Sequence, residues 1–191
     1  MHVSTKFTYD DLQSIPPDRN RYEIIEGDLF VTPAPVPFHQ IILGNLYLAL
    51  SQWVEPRGLG KVLFAPVDVV FSFSTVLEPD LIFISRDRLH IIGEKNVSGP
   101  PDLVVETLSE STAHVDRGVK LKQYALSGVR EYWILDPEMK TAEVYRVAET
   151  GYELLARYAA GESLSSPLLP GFALPVTHLF EAVTSPPRGG E

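Results

Sequence analysis

The sequence predicts an α/β protein, a mixed β-sheet flanked by helices with extra β-hairpins. Three observations carry this. Apolar residues gather in short strand-like runs at 67–73, 80–85, 103–108 and 131–135. Segments of helical period interrupt those runs near 38–54 and 112–127. The resulting order of strands, helix, strands, helix, strands is an α/β pattern. A length of 191 residues favours one domain with a sizeable core, read as 1–183, before a frayed tail at 184–191.

Each element has a local cause. Thr8 followed by Asp11 has the pattern of a helix cap, and Pro16-Pro17 ends that short helix. The segments 21–25 and 29–31 flank Glu26-Gly27-Asp28 and read as a hairpin. A proline-spaced loop covers 32–37. After it, Ile42, Leu46, Ala49, Leu50 and Trp53 recur at helical spacing, until Pro56, Gly58 and Gly60 stop the helix. Segments 62–64 and 67–73 read as one extended run bent at Pro66. Residues 86–99 form a connector with room for a short helix. In 112–127, Val115, Val119, Tyr124 and Leu126 alternate with charges, and Gly128 stands where helices commonly end. Segments 142–147 and 152–158 read as a second hairpin. The Leu-, Pro- and Ser-rich stretch 163–180 is expected to wrap the body.

Composition narrows the function classes. The absence of cysteine excludes disulfides and cysteine-ligated zinc and fits a reducing cytosol, so a cytoplasmic location is expected. No apolar run is long enough to cross a bilayer, so no membrane partner is expected. A net charge of -9 disfavours a broad nucleic-acid-binding surface but leaves room for an enzyme that meets phosphate through metal ions. No Gly-rich phosphate loop is present, since Gly60-Lys61 lacks the spacing and the following Ser or Thr.

The informative feature is a set of acids inside apolar strands. Alternation puts Asp80 on one face with Ile82 and Ile84, and Asp102 with Val104 and Glu106. An ionised carboxylate in a sheet is costly unless donors or a cation meet it. Such acids can lie at a wet strand end, pair with Arg or Lys, or converge on a divalent metal. Asp80 and Asp102 each follow a proline and open a strand, which fits an exposed strand edge. Glu106 lies deeper, and its readings are an ion pair or a metal ligand partnered by Asp80. In the next segment Asp116, Lys120 and Tyr124 fall at i, i+4 and i+8 on one helical stripe, with His114 and Arg117 beside it. An Asp–Lys pair at that spacing is also a common surface feature. Next to Glu106, however, Lys120 could lean over the strand and stabilise developing negative charge. Lys122 points elsewhere and is the weaker candidate.

Pro79-Asp80 followed by Glu106-Thr107-Leu108 resembles the PD-(D/E)XK nuclease signature, with Leu108 where a lysine usually stands. The block 99–137, GPPDLVVETLSESTAHVDRGVKLKQYALSGVREYWILDP, resembles the centre of the Uma family of restriction-endonuclease-like proteins. YEIIEG at 22–27, FHQ at 38–40, PVDV at 66–69 and LLPGF at 168–172 extend the likeness to about residues 7–180. The resemblance implies a restriction-endonuclease-like fold and Mg²⁺- or Mn²⁺-dependent hydrolysis of DNA phosphodiesters. It implies Asp80 and Glu106 as metal ligands and a lysine from the following helix, Lys120. Glu26 and His39 match recurring family positions and are candidate additional or outer ligands; Asp68 matches another and reads as structural.

Three functions are compatible with this reading. One is a metal-dependent endonuclease, for which a two-strand cut would favour a homodimer. Another is an inactive nuclease-fold module that binds nucleic acid or assembles. The third is hydrolysis of a small phosphate ester at the same site.

Overall fold

The computed structural model of the chain describes residues 6–181. The tail expected at 184–191 lies outside the described residues. Thr8 caps the first helix, α1 (Tyr9–Gln13), in a reciprocal box with Asp11. A hairpin, β1 (Asn20–Ile25) and β2 (Asp28–Pro33), follows. Helix α2 (Pro37–Val54) starts with a proline in its first turn, where the missing N–H costs nothing. Strands β3 (Gly60–Phe64), β4 (Val69–Ser72), β5 (Thr75–Leu77) and β6 (Leu81–Ser85) come next. A 3₁₀ turn (Arg86–Ile91) and β7 (Val97–Ser98) lead into β8 (Leu103–Thr107).

The helical segment expected at 112–127 has three parts. A short α3 (Ala113–Val115) runs through a π turn (Asp116–Lys120) into α4 (Leu121–Leu126). Strands β9 (Glu131–Asp136), β10 (Thr141–Ala148) and β11 (Gly151–Tyr158) complete the main sheet. The last segment adds a small ribbon, β12 (Ser163–Ser165) with β13 (Ala173–Pro175), and a turn of helix, α5 (Val176–Leu179).

The main sheet is mixed, in the order β11-β10-β9-β8-β6-β3. Strands β8 and β9 are parallel and the other neighbours antiparallel. A second sheet, β2-β1-β5-β4-β7, lies on one of its faces. The run expected to be continuous across Pro66 is therefore two strands in two sheets, with the bend passing the chain between them.

Side-chain alternation divides the core as the sequence implies. Leu81, Phe83, Leu103 and Val105 face α2, packing with Ile42, Leu46 and Leu50. Ile82, Ile84, Val104, Tyr132 and Ile134 face the second sheet and α4, packing with Ile25, Val69, Leu77 and Tyr124. The C-terminal segment covers the α2 face through Leu164, Leu169, Phe172, Val176 and Leu179, as expected of a wrapping tail. No helix among the described residues is long and apolar enough to cross a membrane.

Glu131, buried at the start of β9, anchors that tail. It accepts from Trp133 Nε1 at 3.0 Å, Ser166 Oγ at 2.6 Å and the Leu168 amide at 3.0 Å. Truncation strands the Trp133 and Ser166 donors under the tail, while the Leu168 amide keeps Ser166 Oγ at 3.0 Å. Glu131→Ala is expected to cost about 2–4 kcal/mol in urea unfolding. An unchanged midpoint would mean that the apolar residues alone hold the tail.

Candidate active site

Strand register brings Asp80 and Glu106 together. In the β6–β8 ladder Ile82 stands opposite Val104 and Leu81 opposite Val105. One further step sets Asp80 opposite Glu106. The Thr107 amide donates to Asp80 Oδ2 at 2.8 Å and fixes that step. Both carboxylates lie at the same end of the sheet, on the floor of a cleft of about 1010 Å³.

Lys120 arrives from the π turn. Its Nζ lies 3.0 Å from Glu106 Oε1, 2.8 Å from Glu23 Oε2 and 3.5 Å from Asp116 Oδ1. Tyr124, four residues on, donates its hydroxyl to Glu106 Oε1 at 2.7 Å. The predicted stripe of Asp116, Lys120 and Tyr124 therefore meets the strand acids as a unit. A π turn is a costly local choice that recurs at functional sites. Here Tyr132 gives the Asp116 carbonyl a hydroxyl donor at 3.1 Å.

Asp80 is held from two further elements. Arg21 on β1 donates from Nη1 to Oδ1 at 2.9 Å, while its Nε pairs with Glu78 at 2.9 Å. His39 in the first turn of α2 sets Nε2 3.0 Å from Asp80 Oδ2 and 3.1 Å from the Thr107 carbonyl. Both of those neighbours are acceptors, so Nε2 carries the hydrogen. Among the described residues His39 Nδ1 is buried without a partner.

The other candidates sit elsewhere. Glu26 occupies the exposed β1–β2 turn at φ 51°, away from the cluster. The hairpin's acid in the cluster is Glu23, whose Oε1 also accepts from the Glu78 amide at 2.9 Å. Lys122 is exposed and does not line the cleft. Leu108 is buried in the core beside β8. Asp68 precedes β4, where its carbonyl accepts from the Val97 amide at 2.9 Å. Asp102 is a correction to the exposed-edge expectation. It is buried, accepting from the Ser85 amide at 2.8 Å and from Arg88 at 3.2 Å.

Glu23 and Arg21 were missed because their signal is slight. Alternation along 20–25 sets Glu23 on the same strand face as Arg21 and Ile25. Only the hairpin's docking against β6 and β8 gives those positions a site to face.

The electrostatics are those of a crowded acid cluster. Asp80, Glu106 and Lys120 are 1%, 2% and 4% exposed. Five carboxylates, Glu23, Glu78, Asp80, Glu106 and Asp116, surround two permanent cations, Arg21 and Lys120. Burial pushes the Glu106 carboxyl up to about 8; Lys120 pulls it down, while Asp80, Asp116 and Glu23 add to the rise. Burial likewise raises Asp116 despite Lys120. For Asp80 burial acts upward, but His39, Arg21 and the Thr107 amide outweigh it and hold the group below the usual range. Desolvation opposes charge on Lys120, yet Glu106, Glu23 and Asp116 keep it an ammonium.

These residues suit a hard divalent cation. All the donors are carboxylate oxygens, and Mg²⁺ needs only one or two of them because it keeps several waters. Among the described residues both hydrogen bonds to Glu106 end on Oε1, leaving Oε2 for another partner. No set of three or more His, Cys, Asp or Glu among the described residues encloses an ion unaided. The excess of carboxylates over cations is the feature a divalent ion would relieve.

The family model described as Uma2, putative restriction endonuclease, matches residues 8–177. A solved structure described as a putative nuclease belonging to DUF820, from Anabaena variabilis, superposes with a TM-score of 0.75 at 20% identity. That likeness covers 91% of this chain and 97% of the other. No curated protein matches the chain.

Glu106 makes stability depend on pH in a defined sense. A carboxyl raised in the folded state favours folding below its unfolded value, near 4.3, and that contribution is lost as pH climbs to about 8. In EDTA, Glu106→Gln is expected to gain on the wild type by about 2–4 kcal/mol between pH 5 and pH 8. Urea unfolding across that window checks it; parallel stability curves would mean that Glu106 titrates normally.

Proposed function

Because the chain belongs to the Uma2 family, we propose that its buried carboxylate–lysine cluster hydrolyses phosphodiester bonds of DNA with Mg²⁺ or Mn²⁺ as cofactor. The observation that carries this reading is Lys120, a buried ammonium within 3.0 Å of the Glu106 carboxylate, which itself faces Asp80. In this reading it supplies the lysine that Leu108 does not provide.

Asp80 and Glu106 would hold the ion, Asp80 through the oxygens steadied by Arg21, His39 and the Thr107 amide. The ion would supply a water of lowered pKa and charge neutralisation on the phosphate. Tyr124, donating to Glu106 Oε1, orients that carboxylate so that Oε2 stays available. Lys120 keeps its proton throughout, because three carboxylates favour the ammonium. Its role is therefore that of a fixed positive charge beside the phosphate as negative charge grows, not of the base. Glu23 and Asp116 hold the Lys120 amine over Glu106 from two sides. Hydrolysis forms one P–O bond to the water oxygen and breaks one to a sugar oxygen, which leaves with a proton.

Asp80→Asn, Glu106→Gln and Lys120→Met are each expected to lower cleavage of a labelled oligonucleotide in Mg²⁺ or Mn²⁺ by about 10²–10⁴-fold. Folding is checked alongside by circular dichroism. Wild-type rates in the Asp80 and Glu106 variants would overturn the assignment. A folded wild type that binds nucleic acid yet cuts nothing would favour the inactive binding module instead.

A further inference from the structure

We infer that the cleft accepts an unpaired nucleic-acid strand rather than the backbone of a duplex. This rests on the nuclease reading above and names its substrate class. Three observations carry it.

The first is charge. Arg21 and Lys120 are the cleft's permanent cations, and both are spent on buried carboxylates. Glu110 and Glu138, both exposed, line the same cleft and add acid instead. A duplex bound along its backbone needs several free Lys or Arg to neutralise adjoining phosphates. This cleft has none among the described residues.

The second is depth. Asp80, Glu106 and Lys120 lie on the floor, almost without exposure. A duplex is a stiff cylinder with its phosphates on the outside. A single strand bends, so it can bring one phosphate down to the floor and leave its neighbours in solvent.

The third is the opposite wall. From Leu29 to Val54 the chain has no Asp, Glu, Lys or Arg. Its segment 30–36 lines the cleft; Phe30 and Thr32 share the strand face of Glu23 and Arg21, and beyond the strand Val36 is 64% exposed. Phe30 and Phe38 reach the same cleft. An uncharged wall with two aromatic rings suits base faces, which every unpaired strand presents and a duplex hides.

Binding and cutting are measured separately with wild-type protein. Fluorescence anisotropy in Ca²⁺ and cleavage in Mg²⁺ or Mn²⁺ compare one sequence as single strand, blunt duplex and duplex with unpaired tails. The expected result is at least tenfold tighter binding of the single strand than of the blunt duplex. The salt slope should be shallow, about -1 or less in magnitude in log–log form, as for a single phosphate contact. Cuts should fall in the unpaired tails. Ala34→Glu combined with Val36→Glu, both at exposed wall positions, should weaken single-strand binding about tenfold without lowering Tm.

Equal or tighter duplex binding, a steep salt slope, an insensitive wall or no binding at all would each overturn the inference. If the single strand binds preferentially but nothing is cut, the nuclease reading falls while the binding preference stands. If the blunt duplex is both bound and cut in preference, the nuclease reading stands and this inference falls.

Discussion

The structure turns on a buried ammonium set among carboxylates that outnumber the cations available to them. Lys120 touches Glu106, Glu23 and Asp116, which come from a central strand, a hairpin of the second sheet and the lysine's own helix. Taking such charges out of water costs several kcal/mol each unless the geometry repays it. The protein answers with strand register for Asp80 and Glu106, a π turn for Lys120 and two clamps, Arg21 and His39, on Asp80. The arrangement still leaves surplus negative charge. A chain selected for stability alone would fill this space with apolar side chains. That cost is what marks the cluster as the candidate site.

The rest of the fold holds that cluster in place. Helix α2 covers one face of the main sheet and delivers His39 at its start; the second sheet covers the other face and delivers Glu23 and Arg21. Arg117, beside Asp116 in the π turn, pairs with Asp136 at 3.3 Å and with Glu143 at 2.5 Å, tying that turn to β9 and β10. Glu143 in turn pairs with Arg157 on β11. Those pairs carry the rigidity of the hairpin into the turn that carries the lysine. Apolar packing alone would not fix the lysine's position, because it lacks direction.

Much of this was legible in the sequence, for physical reasons. Strand alternation and helical spacing are short-range rules. They predict the faces of Asp80 and Glu106 and the common stripe of Asp116, Lys120 and Tyr124, as observed. What was not legible depends on long-range docking. Nothing local in NRYEII tells Glu23 from Glu26; the difference is that the hairpin lies against Asp80 and Lys120. Asp102 has the same local signature as Asp80, a proline before an apolar strand. It is buried because the 3₁₀ turn folds back and supplies Arg88. The division of 62–73 between two sheets was hidden for the same reason, since a bend at Pro66 does not say which neighbour each half will find.

The surplus charge gives the account its most direct test. With burial raising the Glu106 carboxyl to about 8, an ion ligated by Glu106 at pH 7 would displace a proton. Calorimetric titration with Mn²⁺ at pH 7, in two buffers of different ionisation enthalpy, reads binding and proton release together. The account predicts one ion bound with release of about one proton, and neither in Glu106→Gln. No heat of binding at millimolar Mn²⁺, or binding with no proton released, would contradict it.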